Sequence, residues 1–324
     1  MEQDIRPHRT TATQAPLVVF GSVNIDIVAY TEHLPHPGET IHADRSATTL
    51  GGKGANQAAA IARLGGRVVL AGRTGTDAFA TLARDRLAAF GVGLGHLAAD
   101  PDRATGLALI GVSRDGQNSI TVIGGANLGI DTADAAALQP VLAAAPVLLL
   151  QLEIPLPAVL AAAATAREGG ATVILDPAPA PAGGLPEAAF QVAHILTPNE
   201  TETELLVGMR PTGPDDAALA AGKLLDRGLA TAIIKLGSRG VYYRSRTAAG
   251  FVPPFAVTAI DSVAAGDSFN AGLAVALARG DTLAEAVRFA AAGGALATTR
   301  PGASEAAPTL AEVENLLRRQ PPAA

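Results

Sequence analysis

Cysteine is absent from the 324-residue chain. That excludes a disulfide framework, thiolate chemistry and a cysteine-ligated zinc site, and it suits a reducing cytoplasm. Tryptophan is absent too, and aromatic residues make up 3% against 48% hydrophobic residues overall. The core must therefore come from Ala, Val, Leu and Ile, which suit helices packed on a parallel sheet. Basic residues are outnumbered, 24 Lys and Arg against 30 Asp and Glu, for a net charge of −6. No nucleic-acid partner is expected, because that needs a basic face. Long apolar runs are missing as well. Val147–Leu150 and residues 271–278 are far shorter than a bilayer crossing, so the chain reads as soluble, with no membrane partner. Residues 1–15, MEQDIRPHRTTATQA, have no apolar stretch of the signal-peptide kind and read as a disordered leader.

What is present is a repeated unit, a short apolar run joined to an Ala-rich helical pattern, which reads as βαβ. Buried strands are expected at Leu17–Phe20, 68–72, 147–151, 172–176, 195–198 and 231–236. Helices are expected at 78–90, 157–166, 200–206, 217–227 (closed by Gly228), 266–278 and 283–298. This order implies one α/β domain over 16–324, a doubly wound, mostly parallel sheet flanked by helices. Two stretches break the rhythm. Residues 27–50 and 105–123 alternate polar and apolar, with a turn at Arg114-Asp115-Gly116, and read as a small β-sheet lid.

Three segments could carry chemistry. Asp261-Ser262-Val263-Ala264-Ala265-Gly266-Asp267 runs straight into an apolar helix. Small residues before a helix start leave N–H groups bare for an anion, and Asp267 falls in the first turn beside it. Asp267 could equally be a carboxylate that merely complements the helix dipole. Gly51-Gly52-Lys53-Gly54-Ala55-Asn56-Gln57 also leads into a helix, but it has neither Walker A nor GxGxxG spacing. It could hold a polar small molecule or be a plain tight turn. Asn24 and Asp26 follow the first strand and project to one side, which suits vicinal hydroxyls or else an Asx turn. Glu153, Asn199 with Glu202, and the Lys235–Gly240 turn sit at predicted strand ends on the same rim. Gly-Ser-Arg-Gly by itself is more often a hairpin turn than a nucleotide contact.

In order, GSVNID, PHPGETI, GGKGANQAAA, TGLALIGV, QLEIPL, TPNETE, KLGSRGV and DSVAAGDSFNAG resemble the ribokinase family of carbohydrate kinases from Pro16 to the last helix. The resemblance implies ATP-dependent phosphorylation of D-ribose at its 5-hydroxyl. The sugar would be held by Asn24, Asp26, Gly52, Lys53, Asn56 and Glu153, with Asp267 as the base that takes its proton. ATP would lie along Asn199, Lys235, Leu236, Gly237, Ser238, Arg239 and Gly240. Its γ-phosphate would rest in an anion hole at Ala264, Ala265 and Gly266. Mg²⁺ would be placed by Asn199 and Glu202 through water. A monovalent cation such as K⁺ would sit with Asp261 and carbonyls of Val263, Ala297, Arg300 and Gly302. A homodimer through the lid is expected by analogy.

Three positions depart from that pattern. Lys235 stands where a Thr is common, Ala291 where a polar residue often lies near the ribose of the nucleotide, and Ala306 where a Ser can complete the cation site, with Ser304 close by. Deoxyribose, a nucleoside or fructose remain alternative acceptors. A nucleoside kinase would be expected to spend aromatics on the base, yet Tyr30 is the single aromatic in the first half of the lid. A non-catalytic sugar sensor on the same fold is opposed by the intact Ala-Ala-Gly-Asp loop. A NAD-dependent Rossmann enzyme is opposed by the missing GxGxxG.

Overall fold

The computed structural model describes residues 15–322. The leader expected over 1–15 falls, but for Ala15, outside the described residues. The strands are β1 (Leu17–Phe20), β2 (Asn24–Thr31), β3 (Arg45–Gly51), β4 (Val68–Thr74), β5 (Gly93–Ala99), β6 (Gly106–Ser113) and β7 (Asn118–Ile123). They continue as β8 (Val147–Leu150), β9 (Thr172–Leu175), β10 (Ile195–Leu196), β11 (Thr231–Lys235), β12 (Val241–Ser245) and β13 (Ala249–Val252). The helices are α1 (Lys53–Arg63), α2 (Ala78–Ala89), α3 (Thr132–Ala137), α4 (Gln139–Leu142), α5 (Leu156–Glu168) and α6 (Glu187–Val192). They continue as α7 (Glu200–Val207), α8 (Pro214–Asp226), α9 (Ala265–Ala278), α10 (Leu283–Ala297) and α11 (Leu310–Arg319).

Nine strands form the main sheet in the order β13-β12-β11-β10-β9-β8-β1-β4-β5. It is parallel from β5 to β11, and at one edge β12 pairs antiparallel with both β11 and β13. β1 and β8 are buried along their whole length because helices cover both faces. Successive side chains of β1 go to opposite sides: Leu17 and Val19 join the core under α1, α9 and α10, and Val18 and Phe20 the core under α5 and α8. Gly54 lets α1 settle onto the end of β1. A Cβ there would come within 2.7 Å of the backbone of Gly21 and Ser22.

A second sheet of four strands, ordered β3-β2-β6-β7, stands apart. Its β2 follows β1 after residues 21–23, and its ladder begins at Asn24, three residues before the expected lid segment, because Asn24 pairs with both Gly51 and Gly106. Other differences are local. α8 starts at Pro214 rather than 217, since a proline fits the first helical turn. Of residues 195–198 only Ile195 and Leu196 join the ladder.

Candidate active site

The parallel strands deliver their carboxyl ends to one rim, and α1 and α9 point their N-terminal turns at the same place. Asp267 lies there in the first turn of α9, 5% exposed. Its Oδ2 accepts a hydrogen bond from Asn56 Nδ2 at 3.1 Å and its Oδ1 from Gln57 Nε2 at 3.0 Å. Both amides come from the first turns of α1, so the Gly-Gly-Lys-Gly-Ala-Asn-Gln segment aims the carboxylate. Ser304 Oγ in turn donates to Asn56 Oδ1 at 2.7 Å, fixing that amide's orientation. Burial, with Asp176 and Glu153 nearby, raises Asp267 to about 6 against the lowering pull of Lys53 and the Asn56 bond. The carboxylate is thus a stronger base than an ordinary aspartate.

No side chain caps α9. Its first-turn N–H groups lack intrahelical acceptors; that of Ala265 meets the Ser262 carbonyl at a long 3.3 Å, and an anion suits the end of the helix. The turn into it runs through Ala264, the one non-glycine residue with positive φ (54°) among the described residues. Such a conformation costs about 1 kcal/mol or more and persists where the surroundings enforce it.

Asn24 and Asp26 reach the site from β2. A Cβ on Gly51 would fall 2.0 Å from Asp26 Oδ1, and one on Gly106 2.1 Å from Asn24 Oδ1, so the carboxylate and the amide occupy space that two glycines leave open. Asn24 Oδ1 accepts from Asn127 Nδ2 at 2.7 Å, and Asn127 is itself held by the backbone of Val23. Burial, and then Glu153, Glu305 and Asp267, raise Asp26 to about 6. Glu153 accepts from Ser22 Oγ at 2.6 Å and from the Lys53 N–H at 3.0 Å, which places it under Gly52 at the start of α1. For Lys53, burial opposes the charge, but Asp267, Asp176, Glu153 and Glu202 outweigh it and hold the ammonium protonated.

On the other side, Asn199 and Glu202 form a capping box at the start of α7, Glu202 accepting from Asn199 N at 2.8 Å and Nδ2 at 2.9 Å. Burial raises Glu202, opposed by Lys235 and assisted by Asp176. Lys235 Nζ lies 3.1 Å from Asp176 Oδ1. Leu236 is buried, and Gly237, Ser238 and Arg239 form a one-turn 3-10 segment closed by Gly240, which joins β11 to β12 as a hairpin. The Arg239 side chain turns away to Glu200 at 2.8 Å and the Thr212 carbonyl at 3.0 Å.

A separate cluster surrounds Asp261. Its Oδ1 accepts from Val263 N at 3.0 Å and its Oδ2 from Gly302 N at 3.2 Å, while its own N–H goes to the Thr298 carbonyl next to Ala297. Arg300 directs its side chain to Glu312 at 2.7 Å. Ala306 is fully buried without an oxygen to offer, and Ser304 has committed its hydroxyl proton to Asn56.

Gln57, Asp176, Asn127 and Glu305 are site residues that sequence reasoning passed over. Gln57 adjoins Asn56 within a singled-out motif, and Asp176 ends an expected strand on the rim, so position alone could have raised both. Asn127 sits in the 3-10 turn Gly125–Gly129 with no local signal.

A model of the pfkB family carbohydrate kinases matches residues 14–310. Over 301 residues the chain is 36% identical to a ribokinase of Haemophilus influenzae, spanning 93% of this chain and 98% of that protein. It is 32% identical over 304 residues to a deoxyribokinase of Salmonella typhi, with 93% and 98% covered. The structure of Arabidopsis thaliana ribokinase complexed with ribose and ATP superposes with a TM-score of 0.85 at 35% identity, over 94% of this chain and 99% of that one. With the Asp267 carboxylate, the uncapped helix and the Gly-Gly-Lys-Gly turn assembled on one rim, these likenesses show that the chain belongs to the pfkB family of carbohydrate kinases.

Proposed function

We propose that the chain transfers the γ-phosphoryl group of ATP to the 5-hydroxyl of D-ribose, giving ribose 5-phosphate and ADP. The observation that carries this is Asp267, held by Asn56 and Gln57 where the polar side chains of β2 meet the bare N-terminus of α9. Asn24, Asp26, Gly52, Lys53, Asn56 and Glu153 bind the sugar hydroxyls. Asp267 accepts the proton of the 5-hydroxyl as the γ-phosphoryl moves to its oxygen, and the N–H groups at Ala264, Ala265 and Gly266 stabilise the charge on the transferred group. Asn199 and the segment Lys235–Gly240 line the nucleotide.

Four carboxylates, Glu153, Asp176, Glu202 and Asp267, act on the Lys53 ammonium, and Lys235 beside Asp176 and Glu202 is the second ammonium, so negative charge is in excess and a cation would accompany the polyphosphate. Mg²⁺ fits this surplus of hard oxygen donors. Glu202 would hold it through water, because both its oxygens already accept from Asn199. Bound there, Mg²⁺ neutralises phosphate charge. K⁺ fits beside Asp261, whose carboxylate keeps lone pairs beyond its two N–H bonds, with carbonyls of Val263, Ala297, Arg300 and Gly302. The alanine at 306 makes the site weaker than one with a hydroxyl.

The second sheet closes over the sugar as a lid. Its apolar exposure at Leu109, Ile120, Val122 and Ile123, on strands that include the free edge β7, supports pairing of two lids in a homodimer. Among the described residues no helix is long and apolar enough to cross a membrane, and use of ATP suits the cytoplasm.

The test is ADP release from purified protein with ATP–Mg²⁺ and ribose, deoxyribose, fructose or adenosine. Ribose should give the highest kcat/KM. Deoxyribose is the second reading, favoured by the deoxyribokinase likeness, and a higher kcat/KM for it would replace the first.

A further inference from the structure

The pair formed by Lys235 and Asp176 joins the end of β11 to the end of β9, 59 residues apart in sequence, with side chains 14% and 2% exposed. Asp176 has a second attachment. Its Oδ2 accepts from Gln57 Nε2 at 3.3 Å, the same nitrogen that reaches Asp267 Oδ1 at 3.0 Å. Contacts therefore run without a break from Lys235 through Asp176 and Gln57 to the base. Lys235 also overhangs the anion hole: a Cβ built on Gly266 would come 3.6 Å from its Nζ. Taking two charges out of water about cancels the attraction between them, so a buried ion pair gives little stability by itself. A phosphate oxygen at a bare helix N-terminus is an alternative partner for the ammonium, and it brings a charge-assisted bond of its own.

We propose that Asp176 is a positioning residue for Lys235, and that the terminal phosphate of a bound nucleoside triphosphate takes Lys235 from it, so that the pair distinguishes a triphosphate from a diphosphate. This rests on the assignment of ATP to the N-terminus of α9 made above. Without nucleotide, Asp176 neutralises the ammonium and keeps it over Gly266. With the γ-phosphate in place, Lys235 moves to a phosphate oxygen while Asp176 keeps its bond to Gln57, and Asp267 stays aimed. Transfer leaves the phosphoryl group on the sugar; once ribose 5-phosphate departs with it, the diphosphate that remains does not reach Lys235, which returns to Asp176.

The test is calorimetric binding of ADP–Mg²⁺ and of a non-hydrolysable β,γ-imido analogue of ATP–Mg²⁺ to the wild-type chain, Lys235→Met and Asp176→Asn, with folding checked by thermal melting. Lys235→Met should weaken the analogue by on the order of tenfold, the scale of one charge-assisted hydrogen bond after the loss of its former partner, and leave ADP within about twofold. Asp176→Asn keeps an oxygen for Gln57 and frees Lys235, so it should bind the analogue at least as tightly as the wild type. Lys235→Gln, with the same expected loss, replaces the Met variant if that one does not fold. Equal losses for analogue and ADP, or none for either, would overturn the proposal, as would an Asp176→Asn loss as large as that of Lys235→Met. A wild-type chain that binds neither nucleotide would instead overturn the assignment of ATP to this site.

Discussion

Gly51 faces Asp26 from the neighbouring strand, and replacing it with alanine should damage sugar recognition with little effect on the fold. The added Cβ would lie 2.0 Å from Asp26 Oδ1, 2.2 Å from Cγ and 2.4 Å from Oδ2. Atoms at such distances cannot coexist, and restoring even a tight contact of 3.0 Å moves the carboxylate by at least 1 Å. Gly51 has no left-handed backbone, so alanine adds no torsional strain. Asp26 is only half buried, so it can swing aside instead of forcing β2 and β3 apart. A 1 Å misplacement of a positioning group costs on the order of 10²-fold in rate, and kcat/KM for ribose should fall by roughly 10- to 100-fold. Steady-state assays varying ribose at saturating ATP would measure this, with calorimetry of the ATP analogue and a thermal melt alongside. Analogue affinity should stay within about twofold and Tm within a few degrees. Ribose kcat/KM unchanged within about twofold would refute the claim that Asp26 contacts the sugar from this position.

Two more predictions concern ionisation and cations. Asp267 and Asp26 are each raised to about 6, and both must be ionised to accept hydrogen bonds and the proton, so kcat/KM for ribose should fall below an acid limb near pH 6. An acid limb near pH 4 would contradict this. The same shifts bear on stability. Between the ordinary value of 3.8 and about 6 the folded chain holds more protons than the unfolded one, so the ligand-free protein gains stability from these groups as pH falls from 7 towards 4, and loses it as pH rises through about 6. K⁺ should activate turnover over Na⁺ or a large organic cation at constant ionic strength, mainly through kcat, and Asp261→Ala should abolish the response. Equal activity with and without K⁺ would refute the cation site.

The parts of the fold legible in the sequence were those whose local pattern and tertiary setting agree. β1 and β8 are continuous apolar runs because helices bury both of their faces. β5 escaped notice because it is an edge strand, Gly-Leu-Gly-His-Leu-Ala-Ala, exposed at most of its positions. Among site residues, Asp267 stood out because a helix start announces itself through small residues and an acidic first turn. Its partners were harder to see. Gln57 and Asp176 acquire meaning only when α1, β9 and α9 converge across 119 and 210 residues of sequence. Lys235 looked like a lone departure from a hydroxyl, because the carboxylate that balances it lies two strands away across the sheet.

Asp267→Asn tests the central claim most directly. Asparagine keeps the shape of the side chain but cannot take the proton of the sugar hydroxyl. Its side-chain oxygen still accepts from one of the facing amides, Asn56 or Gln57. Turnover with ATP–Mg²⁺ and ribose should fall by on the order of 10²–10⁴, while ribose binding by calorimetry changes no more than a few-fold. Near-normal kcat in this variant would contradict the assignment of Asp267 as the base.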